Sequence, residues 1–371
     1  MNPLIIFLIT MMPTILLAQD HANLIIGTYT NGGNSKGIYV YDFNLKTGES
    51  VLKSETPVAN PSFLTLSPDK HFVYAVSEEG AELASANAFT YDRFSGKLGF
   101  IDSLRTGGAS PCHIITDAGN KHVIVANYSG GSLSVFKTKA NGSLDKKVQF
   151  IQYEGSGPDK SRQEKPHAHS STLSPDGKFL FVQDLGTDQI HVYAYDATNP
   201  DEPLRPATIP TVPCTPGGGP RHITFSADGR FVYLVQEMGA RVQVFAYQKG
   251  TLRSIQEISM LAPGFTGKVG AADIHLSPDG KFLYTSNRLE ANDLCIYQVN
   301  KKSGKLTYVT NQSVLGKNPR NFAITANGKF LLAANQDTNN VVIFNRDAQT
   351  GLLTDSGKRI SVGAPVCLLV D

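Results

Sequence analysis

Tryptophan is absent from this chain of 371 residues, which excludes every repeat class defined by a Trp-Asp pair. Cysteine is scarce. Cys112, Cys214, Cys295 and Cys367 contain no Cys-x-x-Cys pair, so they form neither a disulfide framework nor a zinc site and read as small buried apolar side chains. Neither sign of charge is in excess: 34 Lys plus Arg stand against 32 Asp plus Glu, a formal net charge of +2. That balance excludes a partner such as nucleic acid or an anionic membrane held by bulk electrostatics. Charged residues make up only 18% and hydrophobic ones 41%, enough to bury a core and too apolar for disorder. Long apolar runs are missing as well, with one exception at the start.

That exception is residues 3–17, PLIIFLITMMPTILL, followed by Ala18 and then polar residues. Fifteen residues are short for a bilayer span and suit the core of a signal peptide, with small Ala18 at the cleavage point. No Lys or Arg precedes the run, and no Cys follows it to carry a lipid. We read residues 1–18 as a signal peptide and 19–371 as one domain. The mature protein is then expected to be exported, periplasmic or extracellular, with no stable membrane insertion. Without a functioning leader it would stay cytoplasmic.

Self-similarity organises everything after the leader. A short apolar strand, the turn Ser-Pro-Asp-Gly-Lys or a variant, and a second apolar strand recur six times. Examples are HSSTLSPDGKFLFVQD from His169 and ADIHLSPDGKFLYTSNR from Ala272. The first turn residues are Ser67, Asp117, Ser174, Ser226, Ser277 and Thr325, spaced 48 to 57 residues apart. Each block continues with an alternating aromatic strand, such as Ile190-His-Val-Tyr193 or Val341-Val-Ile-Phe344, and usually a Gly-x-Leu turn such as Gly304-Lys-Leu306. Period-two alternation bounded by Asp-Gly, Asn-Gly and Ser-Gly turns specifies strands. Four short antiparallel strands per fifty residues make one propeller blade. There are seven aromatic strands but six internal first strands, and the seventh is supplied by residues 364–371, which match residues 60–67. The expected fold is all-β, a seven-bladed β-propeller closed by pairing of the C-terminal strand with the N-terminal segment.

Equivalent positions around such a ring gather at one channel mouth. Four and five residues before the turn stand Cys112 and His113, His169 and Ser170, Arg221 and His222, Ala272 and Asp273, and Arg320 and Asn321. Ten and eleven after it stand Ser77 and Glu78, Asn127 and Tyr128, Asp184 and Leu185, Gln236 and Glu237, Asn287 and Arg288, and Asn335 and Gln336. The hairpin reverses at the turn, so both sets are expected at the same mouth. Three other motifs carry less. Gly33-Asn-Ser-Lys-Gly37 matches a nucleophile elbow in letters, but a strand follows it, not a helix. His167-Ala-His169 are alternate residues of an extended segment with no third ligand nearby, so no metal is assigned. Gly217-Gly-Gly-Pro220 reads as a flexible lead-in to a blade.

In order along the chain, Ile26-Gly-Thr-Tyr-Thr30, Asn60-Pro-Ser-Phe63, Val76-Ser-Glu78 and Ala126-Asn-Tyr-Ser-Gly-Gly131 are followed by His167-Ala-His169, Gly219-Pro-Arg-His222, Gln236-Glu237 and Ser286-Asn-Arg288. With these motifs residues 22–371 resemble the seven-bladed propeller lactonases, a family that includes 6-phosphogluconolactonase and carboxymuconate-lactonizing enzymes. The resemblance implies a catalytic set of His169 (with His167 as rival), Arg221, Glu237 and Arg288, and no cofactor or metal. The expected activity is hydrolysis of a small-molecule lactone of a sugar acid. Glu237 or His169 would activate water and the arginines would stabilise the oxyanion. Glu78, His113, Asn127, His167, His222 and Asp273 are further candidates for holding the substrate. The alternatives are a muconate-type cycloisomerase and a non-catalytic, exported ligand-binding propeller.

Overall fold

The computed structural model describes residues 20–371, so the leader expected over residues 1–18 lies outside the described residues. Seven four-stranded antiparallel sheets form the ring, with no helix among the described residues. Blades 1 to 6 comprise residues 64–105, 111–152, 168–213, 220–259, 271–313 and 319–361, in sequence order. Blade 7 is composite: its innermost strand is Pro365–Val370 and its other three are His21–Thr28, Gly37–Asn44 and Ser50–Pro57. The closing pair runs antiparallel from Leu24 opposite Val370 to Thr28 opposite Pro365. Asp371 extends the latch to blade 1, where its carboxylate pairs with Lys70 and Arg93, each at 2.7 Å.

Burial explains the strand sequences. The second strand of each blade is covered on both faces by its neighbours and carries a continuous apolar stretch, as in residues 123–126 and 330–334, all buried. The outermost strand meets water on one face and alternates, as in Lys97–Arg105. The core is therefore split into seven apolar clusters, one between each pair of adjacent blades.

Two of the repeated motifs prove to be halves of one contact. In the Ser-Pro-Asp-Gly-Lys turn the serine hydroxyl donates to the aspartate and accepts from the amide of the following phenylalanine, as Ser277 does with Asp279 (2.6 Å) and Phe282 (3.0 Å). That phenylalanine lies against the glycine of the Gly-x-Leu turn in the next blade: Phe72 on Gly142, Phe179 on Gly250, Phe231 on Gly304 and Phe282 on Gly351; Phe330 meets Gly48 in the same way, although Ser50 stands there in place of the leucine. A Cβ at Gly351 would come within 2.4 Å of the Phe282 ring, and its φ is +75°. Gly357 shares that φ but has open space where a Cβ would go.

The two glycines separate backbone strain from the interlock. Gly357→Ala is expected to cost about 1–2 kcal/mol for a left-handed alanine. Gly351→Ala is expected to cost a further ~1–3 kcal/mol from overpacking on Phe282. Urea denaturation of both variants checks this, and equal losses would show that the glycine–phenylalanine contact contributes nothing.

Candidate functional site

A backbone irregularity delivers the functional side chains. In five of the six innermost strands that begin at the mouth of blades 2 to 7, one unpaired residue opens a simple bulge: Cys112, His169, Arg221, Arg320 and Val366. A similar shift around Ala272 interrupts blade 5. A bulge re-aims the side chain it carries. Here it turns the residue five before the turn toward the mouth while the next residue faces down the channel. The second strand, running upward, adds Glu78, Tyr128, Glu237 and Arg288 just beyond its end.

The result is a cup of ≈ 240 Å³ lined by Tyr29, Glu78, Cys112, Tyr128, Arg162, His169, Glu237, Arg288 and Arg320. Glu237 is its centre. One carboxylate oxygen accepts from Arg162 Nη2 at 2.6 Å. The other accepts from Arg221 Nε at 3.0 Å and lies 3.0 Å from Arg288 Nη2 and 3.9 Å from His169 Nε2. Arg288 is fixed by donating from Nε to the Gly270 carbonyl at 3.0 Å. Across the cup, Glu78 accepts from the hydroxyls of Tyr29 (2.8 Å) and Ser62. Arg320 lies 5.4 Å from the Tyr29 ring centroid and, among the described residues, its guanidinium has no hydrogen-bond partner.

Four guanidiniums thus face two carboxylates. Burial pushes the Glu237 carboxyl up, but Arg288, Arg221 and Arg162 outweigh it and hold the group at about 2. Burial, with Arg221 and His222 beside it, drives His169 well below the usual histidine range, so its imidazole is neutral at pH 7. Burial and the neighbouring Arg288 and Arg320 bring Arg221 down to about 10, still protonated at neutral pH.

Beneath the cup the channel is closed by a polar floor. Phe63 of blade 1 touches His113 (ring centroids 4.2 Å) and reaches His222 of blade 4 (6.0 Å). His222 Nδ1 donates to Asp273 at 2.8 Å, whose other oxygen accepts from His275 at 2.8 Å and Asn321 at 2.5 Å. Burial and Arg221 lower His222 to about 4, against the pull of Asp273.

The structure brings His169, Arg221, Glu237 and Arg288 together, but not in equal roles. His169, Glu237 and Arg288 line the cup; Arg221, only 2% exposed, lies behind Glu237 and grips it from below. Of the six residues read as substrate-holding, only Glu78 lines the cup. His113, His222 and Asp273 belong to the floor. His167 stacks on the Tyr128 ring (4.5 Å) and donates to the Tyr128 carbonyl at 3.1 Å, so it braces a wall. Asn127 turns outward and donates to Ser132 (3.1 Å) and Ser134 (3.0 Å) within its own blade. The reason is period two: the tenth residue after the turn faces the third strand, and only the eleventh reaches the mouth. The lead-in at 217–219 is not flexible either, since Asp188 accepts from the amides of Gly217 (2.6 Å) and Gly219 (2.9 Å).

Tyr29, Cys112, Tyr128, Arg162 and Arg320 complete the lining. Tyr128 and Arg320 stand at the very offsets the repeat isolates, so the signal was present in the sequence. Arg162 lies in the segment between blades 2 and 3, outside the periodic frame. Its only trace is the widest turn spacing, 57 residues between Asp117 and Ser174. Its guanidinium reaches Glu237 at 2.6 Å and the Tyr128 hydroxyl at 3.3 Å.

Comparison with known proteins accords with this architecture. The family described as lactonase, 7-bladed β-propeller, matches residues 23–370. A 6-phosphogluconolactonase of Formosa agariphila is 38% identical, over 89% of this chain and 94% of the relative. A solved structure from Bacteroides fragilis is 45% identical with a TM-score of 0.91, covering 95% and 98% of the two chains. The periplasmic gluconolactonase of Pseudomonas aeruginosa is 38% identical with a TM-score of 0.90, covering 94% and 99%. Sequence motifs, ring and site converge, and the chain belongs to the seven-bladed β-propeller lactonase family.

Proposed function

We propose that this protein hydrolyses the lactone of a sugar acid bearing an anionic group, in the manner of a 6-phosphogluconolactonase. The observation that carries the reading is the surplus of guanidinium charge in a cup that also holds a neutral imidazole. Arg288 and Arg320 have the fork geometry that suits a phosphate, a carboxylate or a developing oxyanion. The name of the Formosa relative supports the same substrate class. The unphosphorylated lactone is the second reading, favoured by the periplasmic Pseudomonas relative and by the apolar leader.

The geometry supports a division of labour. His169 Nε2 takes a proton from water as its oxygen attacks the lactone carbonyl. Arg288 and Arg320 stabilise the resulting oxyanion. The ring C–O bond then breaks, and the imidazolium returns the proton to the leaving alkoxide, giving the open hydroxy acid. Glu237, at about 2, is too weak a base for the first step. It holds the arginines in place and compensates the transient imidazolium 3.9 Å away. Arg221 is a positioning residue acting through Glu237. Substrate charge offsets the arginines that depress His169, so the base strengthens when the site is filled.

Hydrolysis of glucono-δ-lactone and its 6-phosphate tests the reading directly. A preference for the phosphate supports the first substrate, equal turnover shifts the assignment to the second, and no turnover of either overturns it. Arg320→Ala and Arg288→Ala are each expected to lower kcat by about 10²–10³, and His169→Gln by about 10²–10⁴. Near-normal rates in His169→Gln would remove the base.

The pH dependence has a defined sign. His169 works in its neutral form and its pKa is depressed, so activity is retained as pH falls through 6.5, the ordinary histidine value. The acid limb of kcat/KM, which reports the free enzyme, is expected well below pH 6.5. A limb at or above that value would contradict the assignment.

A further inference from the structure

A second recess of ≈ 330 Å³ opens beside the cup, between the loops of blades 6 and 7, and shares Tyr29 and Glu78 with it as a common wall. Its chemistry is the reverse of the cup's. The remaining lining is Asn31, Gly32, Gly33, Asn60, Gln336, Asp337, Asn339 and Ala364, with no lysine or arginine. Among the residues lining the two cavities, the arginines all lie on one side of the Tyr29–Glu78 wall, and on the other stand amides and a carboxylate.

The hydrogen-bonding capacity of this recess is largely unspent. Asn60 is the exception: its oxygen accepts from the amides of Thr30 (2.8 Å) and Asn31 (3.2 Å), and its nitrogen donates to Glu79 at 2.7 Å, so it builds the base. Among the described residues, the side chains of Asn31 and Gln336 have no partner. Asn339 uses only its oxygen, on the Ala364 amide at 2.8 Å, which leaves its NH₂ group. Asp337 engages one oxygen, with Asn318, and Glu78 one oxygen, with Tyr29 and Ser62. Donors and acceptors side by side are what adjacent hydroxyl groups require, since each hydroxyl both gives and receives. The backbone at Gly33 contributes a bare approach: its φ is not left-handed and a Cβ there would meet nothing, so packing does not demand a glycine.

We propose that this recess is a subsite for an uncharged polyhydroxyl substituent of the lactone, a glycosyl unit. The proposal rests on the lactonase reading above and extends its substrate class to glycosylated sugar-acid lactones. The opposed polarity orients the ligand. Its anionic or developing-oxyanion end is drawn to the arginines, while Glu78 and Asp337 repel that end from the recess and accept its hydroxyls.

The test compares kcat/KM for glucono-δ-lactone with that for its 4-O-glucosyl and 6-O-glucosyl derivatives. Wild type is expected to favour one glucosylated lactone by about tenfold, the worth of one or two hydrogen bonds. The Asn31→Ala, Gln336→Ala double variant is expected to abolish that preference and to leave turnover of the simple lactone unchanged. Gly33→Phe, which fills the recess without backbone strain, is expected to do the same. A preference that is absent in wild type, or that survives both variants, overturns the subsite. Failure to hydrolyse even the simple lactones overturns the lactonase reading instead. In that event calorimetric binding of glucosylated gluconate to wild type and to Gly33→Phe decides the recess alone: weaker binding by the variant sustains it, and equal or no binding overturns it.

Discussion

The site depends on one buried carboxylate. Glu237 gathers guanidiniums from blade 4, blade 5 and the segment before blade 3 within 2.6–3.0 Å. Without that negative charge, Arg162, Arg221 and Arg288 would repel one another in a pocket largely removed from water. Removing one partner of such a cluster leaves an uncompensated buried charge, commonly at a cost of ~3–5 kcal/mol. The same arrangement holds the carboxylate at about 2 and, with burial, keeps the nearby imidazole neutral. Structure and chemistry are set by the same contacts.

The ring makes this gathering possible. A propeller places a side chain from every blade around one axis, and here all seven contribute: Tyr29, Glu78, Cys112 with Tyr128, His169, Glu237, Arg288 and Arg320. Ideal pleating would send alternate side chains to opposite faces of a blade. The bulges at the mouth break that alternation, so that two successive residues serve the channel, one as wall and the next as floor. Cys112, which lines the cup, and His113, which joins the floor, show the pattern.

Much of this was legible in the sequence because repetition turns position into geometry. Blade number, strand order and ring closure followed from turn spacing and from the match of residues 364–371 to residues 60–67. The cluster of His169, Arg221, Glu237 and Arg288 was recognisable from offsets and motifs together. What was not legible has definite causes. Offsets alone do not say which of two adjacent residues reaches the cup, so Asn127, His222 and Asp273 read as substrate-holding candidates beside Glu78. Arg162 belongs to an insertion that repeats nowhere else. The acidity of Glu237 depends on three neighbours whose convergence exists only after folding.

The floor of Phe63, His113, His222 and Asp273 has a kinetic corollary. Rings from three blades meet across the axis beneath the cup, so reactant and product share the mouth above them. Ring opening turns an ester into a free carboxylate, which gives the departing molecule one more negative charge than the arriving one. In the proposed reading, the guanidiniums that attract an anionic lactone therefore detain the outgoing acid. Dissolved salt, which screens such attraction over about 8 Å at physiological strength, eases its escape and weakens capture together.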